Sequence, residues 1–260
     1  MRINEAEILD RRYRIQAEWT RRQRRTLMEQ LGIAAGAHLL EVGCGTGALL
    51  RETASAHPGV LLTGLDLDRE ALIFAQSQDA HSKPDLCAGD AHALPFENDR
   101  FDGVFTHFVL LWLSDPYTAL MEMRRVTAPG GWIAAFAEPD YGGRIDVPAH
   151  METLAHAQTE ALEAQGADPF LGRSLRALFT ASGLENVRCG VLGGAWEGSY
   201  DPLACQSEWD TIRRDLDGII PPEELDLAEK MDRAAWESGT RILFVPTFYA
   251  IGYNPTHPAA

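Results

Sequence analysis

Closely spaced cysteines are absent from this 260-residue sequence. Its cysteines, Cys44, Cys87, Cys189 and Cys205, are scattered and form no short pair. Zinc sites and disulfide frameworks are recognised by close, regular cysteine spacings. The sequence therefore predicts neither a metal site nor a disulfide framework.

Long apolar runs are also absent. The longest, residues 108–113, is far shorter than the ~18 or more apolar residues of a membrane-spanning helix. The first residues include Arg2, Asn4 and Glu5, and no apolar signal core follows them. We therefore expect a cytoplasmic protein without a membrane partner.

Positive charge is scarce as well. The 38 Asp and Glu residues outnumber the 23 Lys and Arg residues, which gives a formal net charge of −15. Because general nucleic-acid binding needs a basic surface, we expect no nucleic-acid partner. The exception is the arginine-rich segment 11–25, where Glu18 can pair with Arg21 and Arg22 at helical spacing. This spacing favours a solvated helix face, and the alternative is that one arginine reaches an anionic group on a ligand or partner.

The most informative feature that is present is a glycine-rich loop between a strand pattern and a helix pattern. The apolar run 39–42 ends in Gly43, Gly45 and Gly47, and an Ala- and Leu-rich stretch follows over residues 48–56. Glycines permit unusual backbone dihedrals and lack the Cβ atoms that would hold a ligand away. A helix N-terminus adds free N–H groups and a partial positive charge. The loop therefore predicts a binding site for a nucleotide-like cofactor.

Strand and helix patterns alternate along the chain. After a helical segment at 5–30, strands are predicted at residues 38–42, 60–65, 85–88, 101–106, 132–137, 186–191 and 241–251, with helices between most of them. This alternation predicts an α/β fold, a Rossmann-like, doubly wound, mostly parallel seven-stranded sheet. In such sheets ligands bind beyond the carboxyl ends of the strands.

Three parts are expected along the chain. An N-terminal helical segment covers residues 1–36, a cofactor-binding core covers 37–138, and a continuation of the core covers 139–253. The continuation contains two helical insertions, at about 139–172 and 195–239, before and after the sixth strand. We expect them to form a lid, which favours a small-molecule substrate. The sequence does not indicate the oligomeric state.

The glycine loop alone leaves the cofactor class open. Gly43, Gly45 and Ala48 also satisfy the Gly-x-Gly-x-x-Gly/Ala fingerprint of dinucleotide-binding folds. Asp66 follows the second strand, and a carboxylate there accepts hydrogen bonds from ribose hydroxyls in either cofactor class. A nicotinamide-dependent oxidoreductase is therefore the first alternative, and Asp66 could instead simply initiate a helix.

Further motifs discriminate between these classes. Glu41 lies inside the first strand, where dinucleotide folds usually have an apolar residue. The motifs Gly-Asp-Ala at 89–91, Leu-Pro-Phe at 94–96, Phe-Asp-Gly-Val at 101–104 and Pro-Gly-Gly at 129–131 follow in order. This ensemble resembles the class I S-adenosylmethionine-dependent methyltransferases, specifically their small-molecule branch.

The resemblance implies methyl transfer from S-adenosylmethionine to a small organic acceptor. It implies that Glu41 orders the glycine loop or meets the methionine amino group, that Asp66 binds the ribose, and that Asp90 binds the adenine amino group. The full implied cofactor set is Glu41, Gly43, Cys44, Gly45, Gly47, Asp66, Leu67, Asp90, Ala91, Thr106 and His107. The N-terminal segment of this family often folds over the cofactor, so Tyr13 and either Arg14 or Arg21 could contact it, with Arg21 facing the cofactor carboxylate. A non-catalytic S-adenosylmethionine-binding module is the second alternative, because the reaction requires no nucleophile from the protein.

Several residues near the predicted strand ends are candidates for acid–base chemistry. A base is needed only if the acceptor arrives protonated, and the candidates are His107, Glu138, Asp140 and Tyr141. Arg144, in the same polar run as Tyr141, could meet an anionic substrate. Each has a structural alternative, a pocket-lining histidine or a polar turn. The aromatic residues Phe108, Trp112, Trp196, Tyr200 and Trp209 either wall an apolar pocket or belong to the core.

Overall fold

The computed structural model describes residues 5–78, 84–193 and 201–256. In these ranges the strands are β1 (His38–Val42), β2 (Leu61–Asp66), β3 (Asp85–Ala88), β4 (Phe101–Thr106), β5 (Thr127–Pro139), β6 (Ile145–Val147), β7 (Glu185–Leu192), β8 (Ile242–Phe244) and β9 (Thr247–Tyr253). The α-helices are α1 (Glu5–Gln30), α2 (Ala48–Ala56), α3 (Arg69–Gln78), α4 (Pro116–Val126), α5 (Glu152–Ala164), α6 (Leu171–Ala181), α7 (Pro202–Asp215) and α8 (Pro222–Glu237).

Seven of the strands form the main sheet, in the order β3-β2-β1-β4-β5-β9-β7. The first five are parallel, and β9 runs antiparallel to both β5 and β7. The predicted Rossmann-like, mostly parallel seven-stranded fold is confirmed. The strand order reverses at β1, because β2 and β3 lie on one side of it and β4 and β5 lie on the other. A ligand crevice is therefore expected beyond the carboxyl end of β1.

Local signals in the sequence place the helix starts. Asp68 precedes α3, and its Oδ1 accepts the backbone N–H of Glu70 at 2.8 Å. Asp115 precedes α4, and its Oδ1 accepts the N–H of Thr118 at 3.0 Å. Such N-caps satisfy amide groups that have no partner within the helix.

The core lies on both faces of the sheet, between the strands and the helices. Leu40, Val104 and Ile133 pack with α4 and α6 on one face, whereas Leu39 and Phe105 pack with α1 and α2 on the other. All five side chains are fully buried. Because the central strands are buried on both faces, they read as nearly continuous apolar runs in the sequence.

The prediction of one final strand over residues 241–251 is wrong. The segment forms two strands, β8 and β9, which are separated at Pro246. Proline has no N–H to donate to a neighbouring strand. The carbonyl of Pro246 is also taken out of the sheet, because it accepts the N–H of Asp140 at 2.8 Å. As a result, β8 leaves the main sheet and pairs with β6, a strand that the sequence did not predict.

The elements of the two predicted insertions cluster together. An apolar cluster joins α5, α7 and α8 through Leu154, Trp209, Ile212 and Leu225. We refer to these three helices, together with β6 and β8, as the lid elements. By contrast, α6, which follows the first insertion, packs on β9 as part of the core. Residues 194–200, which include the candidates Trp196 and Tyr200, lie outside the described part of the chain.

Buried ion pairs connect the same lid elements. Asp146 on β6 accepts from Arg144 Nε at 2.5 Å and from Arg241 Nη2 at 2.7 Å. Arg241 Nε also pairs with Asp232 of α8 at 2.6 Å, and Asp232 accepts the indole N–H of Trp209 at 2.9 Å. Side chains in this chain of ion pairs are at most 7% exposed. Removing one member would leave its partner as an uncompensated buried charge.

We therefore expect Asp146→Asn to destabilise the protein by about 3–5 kcal/mol, because it leaves two buried arginines facing one remaining carboxylate. The free energy of unfolding is measured by denaturant titration. Asp226→Asn is the matched control, since it breaks the exposed Arg213–Asp226 pair and should cost less than about 1 kcal/mol. Equal losses in the two variants would contradict a stabilising role for the buried pairs.

Candidate functional site

A cavity of about 1040 Å³ lies at the carboxyl edge of the parallel strands. It is bordered by the ends of β1 to β5, by α1, and by the lid elements α5, α7, α8 and β8. Its lining includes residues of the glycine loop as well as residues of the lid elements. The structure thus joins the two regions that the sequence had singled out, in a single cavity.

The glycine loop has the backbone conformation that its sequence indicated. Gly43, Gly45 and Gly47 have φ values of 74°, 50° and 74°, which favour glycine. The Gly45 N–H donates to Asp66 Oδ2 at 2.6 Å, which ties the loop to the end of β2. A Cβ at Gly45 would come within 2.8 Å of the Tyr13 ring, so α1 packs closely over this loop.

Glu41 carries a buried oxygen that lacks a partner. The residue is 3% exposed, lines the cavity, and its Oε2 accepts no hydrogen bond in the described structure. Burial raises the pKa of Glu41 well above its usual value, although nearby Arg24 acts in the opposite direction. Because an unsatisfied buried carboxylate oxygen is costly, this atom calls for a donor supplied from the cavity.

His107 is held by a buried arginine. Its Nε2 lies 2.9 Å from Thr20 Oγ1 and 3.5 Å from Arg24 Nη1. Arg24 also donates to Thr20 Oγ1 and to Glu52 Oε2, the latter at 2.5 Å. Burial and the charge of Arg24 hold the pKa of His107 well below its usual value. The imidazole is therefore neutral at physiological pH, and its Nε2 is already engaged on the side of α1.

Glu138 is fully buried and supports a loop. Its Oε1 accepts the N–H groups of Val109 and Leu110 at 3.0 Å each, and its Oε2 accepts that of Leu111 at 3.2 Å. Burial raises its pKa to about 7, although these hydrogen bonds act in the opposite direction. Glu138 is thus a positioning residue for the segment after β4, and it does not line the cavity.

The structure brings most of the predicted site residues to the cavity. The predicted residues that line it are Glu41, Gly43, Cys44, Gly45, Asp66, Leu67, Asp90, Ala91, His107 and Tyr141. At the adenine position that the resemblance implied, Asp90 Oδ1 accepts the N–H of His92 at 2.8 Å, which lowers the pKa of Asp90. Burial raises the pKa of the Cys44 thiol well above its usual value, so this thiol is not activated.

Four predicted residues do not line the cavity. Glu138 is turned into the loop, Thr106 is fully buried, and a Cβ at Gly47 would face Ala75 of α3 at 3.2 Å. Arg21 pairs with Glu18 at 2.5 Å and with Glu52 at 3.4 Å, on the side of α1 away from the cavity lining. Neighbouring carboxylates thus already bind Arg21, and the expectation that it faces the cofactor gains no support from this placement.

Other residues reach the cavity without having been singled out as site residues. They are Arg12, Gln16 and Thr20 of α1, Gln158 of α5, and Glu208 and Asp215 of α7. Polar residues on amphipathic helices are ordinarily solvated, so the sequence carried no signal for them. Among the aromatic candidates, Phe108 and Trp112 line the cavity, whereas Trp209 packs inside the lid.

Two possible features are not found in the described residues. No group of three or more His, Cys, Asp or Glu side chains there could hold a metal ion. None of the helices in the same ranges combines the length and apolarity needed to cross a bilayer.

The raised pKa of Glu138 predicts a pH dependence of stability. Protonation of Glu138 favours the folded state. Its contribution to the free energy of unfolding is therefore fully present below about pH 4.5 and is lost as the pH rises through about 7. The difference amounts to roughly 3 kcal/mol, at ~1.4 kcal/mol per pKa unit. Glu138→Gln should remove this dependence from denaturant unfolding curves measured across that pH range. The exposed control Glu224→Gln should keep it, and parallel curves for the native protein and Glu138→Gln would refute the assignment.

His107 gives a second prediction. We expect its ring to stay neutral at pH values at which an ordinary histidine is protonated, because burial and Arg24 oppose its protonation. Nitrogen NMR shifts of the imidazole, assigned by comparison with His107→Gln, report the protonation state directly. A titration midpoint near the ordinary histidine pKa would show that Arg24 does not control the protonation of the His107 ring.

Comparison with known proteins agrees with this architecture. The model of a methyltransferase domain family matches residues 40–135. Demethylmenaquinone methyltransferase of Renibacterium salmoninarum is 34% identical over 61% of this chain and 67% of its own length. The enzyme of the same name from Bacillus licheniformis is 32% identical over 62% of this chain and 76% of its own length. A malonyl-[acyl-carrier protein] O-methyltransferase of Pseudescherichia vulneris is 35% identical, and here the chain spans about half of the relative, 47%.

Solved structures share the fold at low sequence identity. The YcgJ protein of Bacillus subtilis superposes with a TM-score of 0.58 at 20% identity, covering 90% of this chain and 99% of that chain. Phosphoethanolamine N-methyltransferase 2 of Haemonchus contortus, solved with S-adenosylhomocysteine, superposes with a TM-score of 0.61 at 15% identity, covering 98% of this chain and 59% of that chain. These structures agree with the observed fold, and the sequence relatives, which are named as methyltransferases, favour the methyltransferase class over the oxidoreductase alternative. The chain belongs to the class I S-adenosylmethionine-dependent methyltransferases, in the branch that methylates small molecules.

Proposed function

We propose that this chain binds S-adenosylmethionine at the glycine-loop end of the cavity and methylates a small organic acceptor held under the lid. The observation that carries this proposal is the unpartnered Glu41 Oε2 beside the glycine loop. A buried carboxyl group at this place fits an ammonium group, whose positive charge would favour the ionised form of Glu41, and the methionine part of the cofactor carries one. The residues present therefore fit the cofactor.

Residues at neighbouring strand ends would hold the rest of the cofactor. We assign the ribose hydroxyls to Asp66 and the adenine edge to Asp90, because these carboxylates follow β2 and β3 and line the cavity. Leu67 is 75% exposed and would cover one face of the adenine.

Arg12 replaces Arg21 as the arginine that we assign to the cofactor carboxylate. Arg12 lines the cavity, and its buried Nε has no hydrogen-bond partner in the described structure. A carboxylate would satisfy this atom in a charge-assisted hydrogen bond. Arg12 and Glu41 would then bind opposite charges of the same amino-acid group.

The cofactor supplies an electrophilic methyl group on a positively charged sulfur. The protein's part is to hold the acceptor in line and to exclude water, and positioning of this kind can supply effective molarities of ~10⁵ M or more. Glu138 acts at a distance by fixing residues 109–111 at the cavity wall. His107 is a neutral wall residue whose orientation depends on Thr20 and Arg24.

Tyr141 is proposed to contact the acceptor as a hydrogen-bond donor. It lines the cavity, and burial raises its pKa to about 12. The phenol therefore keeps its proton at neutral pH and can orient an acceptor oxygen or nitrogen. A base is not required of it, because an acceptor that is already deprotonated or neutral can attack directly.

A cytoplasmic location and the absence of a nucleic-acid partner are further parts of this proposal. All four cysteines are free thiols in the structure, which suits a reducing compartment. The net charge of −15 disfavours a polyanionic partner.

Calorimetry with S-adenosylhomocysteine tests the proposal. The native protein should bind it, and Asp66→Asn should weaken binding at least tenfold, because the variant loses the charged acceptor for the ribose and the tie to Gly45. The control Asp85→Asn removes an exposed carboxylate at the other end of the neighbouring strand β3 and should bind normally. No binding of S-adenosylhomocysteine or S-adenosylmethionine by the native protein, or binding of a reduced nicotinamide dinucleotide in their place, would overturn the proposal.

A further inference from the structure

The lid end of the cavity forms a chamber with its own composition, which we call the acceptor chamber. Its polar members include Tyr141, Arg144, Gln158, Glu208, Asp215 and Arg241, and its apolar members include Met151, Leu162 and Ile212. Apolar walls with a few converging polar groups are typical of sites for small organic molecules. The charges among these groups indicate which molecules the chamber accepts.

The arginines of the chamber are already neutralised. Arg144 is bound to Asp146 at 2.5 Å and donates to Gln158 Oε1 at 2.7 Å. Arg241 is bound to both Asp146 and Asp232. An anionic acceptor would have to compete with these buried carboxylates, so the sequence-based idea that Arg144 meets an anionic substrate loses its support.

The carboxylates of the chamber are not neutralised to the same extent. Glu208 is partly buried, faces the cavity, and forms no hydrogen bond or ion pair with any described residue. Asp215 accepts a hydrogen bond from Gln158 Nε2 at 3.1 Å and has no cationic partner within ion-pair distance in the described structure. The negative charges of Glu208 and Asp215 therefore exceed the positive charge available to them.

The surroundings of Glu208 confirm this imbalance. Arg144 and Arg12 stabilise the ionised form of Glu208, whereas Asp215 of α7 and Asp232 of α8 destabilise it. The charge of Glu208 in turn contributes to the raised pKa of Tyr141. Burial is the largest influence and raises the pKa of Glu208. Arg144 is committed to Asp146, and our proposed function commits Arg12 to the cofactor. Glu208 is thus a partly buried carboxylate that has no ion-pair partner among the described residues.

We propose that the acceptor is an amphipathic cation, a small apolar body bearing a protonated amine, and that the amine binds to the Glu208 carboxylate in the acceptor chamber. This inference rests on the proposed function for the position of the cofactor. The apolar walls would hold the body of the acceptor, and the ion pair with Glu208 would fix its direction relative to the glycine-loop end. The amine in this role is an anchor, and the atom that receives the methyl group lies elsewhere on the acceptor.

A matched series of three probes tests the preference for a cation. Phenethylamine, 2-phenylethanol and 3-phenylpropionate have similar apolar bodies with positive, neutral and negative ends. Calorimetric titrations are carried out on the full chain, saturated with S-adenosylhomocysteine and also without it. We expect phenethylamine to bind at least tenfold more tightly than either of the other two probes.

Substitutions then assign the preference to one residue. Glu208→Gln keeps the shape of the side chain and should weaken phenethylamine binding at least tenfold while leaving S-adenosylhomocysteine binding and the melting temperature close to native. Glu224→Gln is the matched control, because Glu224 is an exposed helix residue that does not line the cavity. It should leave the binding of all three probes unchanged.

Three outcomes would overturn the inference. They are equal or tighter binding of 3-phenylpropionate, an unchanged amine preference in Glu208→Gln, and no phenethylamine binding by a protein that binds S-adenosylhomocysteine. Failure of S-adenosylhomocysteine itself to bind would instead overturn the proposed function. The titrations without it would still measure the amine preference separately.

Discussion

The site depends on carboxylates that lie at or just beyond the carboxyl ends of parallel strands and accept backbone N–H groups from the neighbouring loops. Asp66 binds the Gly45 amide, Asp90 binds the His92 amide, and Glu138 binds three consecutive amides after β4. Each bond satisfies an amide that no strand or helix could satisfy, and each fixes a segment that borders the cavity. The shape of the cavity therefore follows from these few hydrogen bonds on a rigid sheet.

The lid is stabilised in a different way. Its apolar cluster is small, and its elements are also joined by the buried chain of ion pairs through Arg144, Asp146, Arg241 and Asp232. A buried ion pair contributes little net stability compared with apolar packing, but it penalises any arrangement that separates its members. It also has a consequence for recognition, since it neutralises both arginines, so that neither Glu208 nor Asp215 has an ion-pair partner among the described residues.

The first half of the chain was the more predictable half, for a physical reason. Parallel strands are buried on both faces, and glycines and N-capping aspartates mark their ends, so β1, β3 and β4 were predicted with the bounds observed. The cofactor end of the site follows from the same local pattern. In contrast, the break between β8 and β9 arises because the Pro246 carbonyl meets the distant Asp140 amide, and no local pattern encodes that contact.

The sequence by itself determined the fold class, the glycine loop and the carboxylates at the strand ends, because each is a local pattern in which residue type and backbone conformation are coupled. Only the tertiary structure decided which polar side chains face the cavity. Arg12 and Arg21 belong to the same arginine-rich helix, yet one lines the cavity and the other pairs with Glu18 and Glu52. Glu138 and Glu208 both carry carboxylates, but that of Glu138 accepts three backbone N–H groups, whereas that of Glu208 faces the cavity without a hydrogen-bond or ion-pair partner among the described residues. Such differences arise from contacts between segments that are distant in the chain, and composition and spacing do not record them.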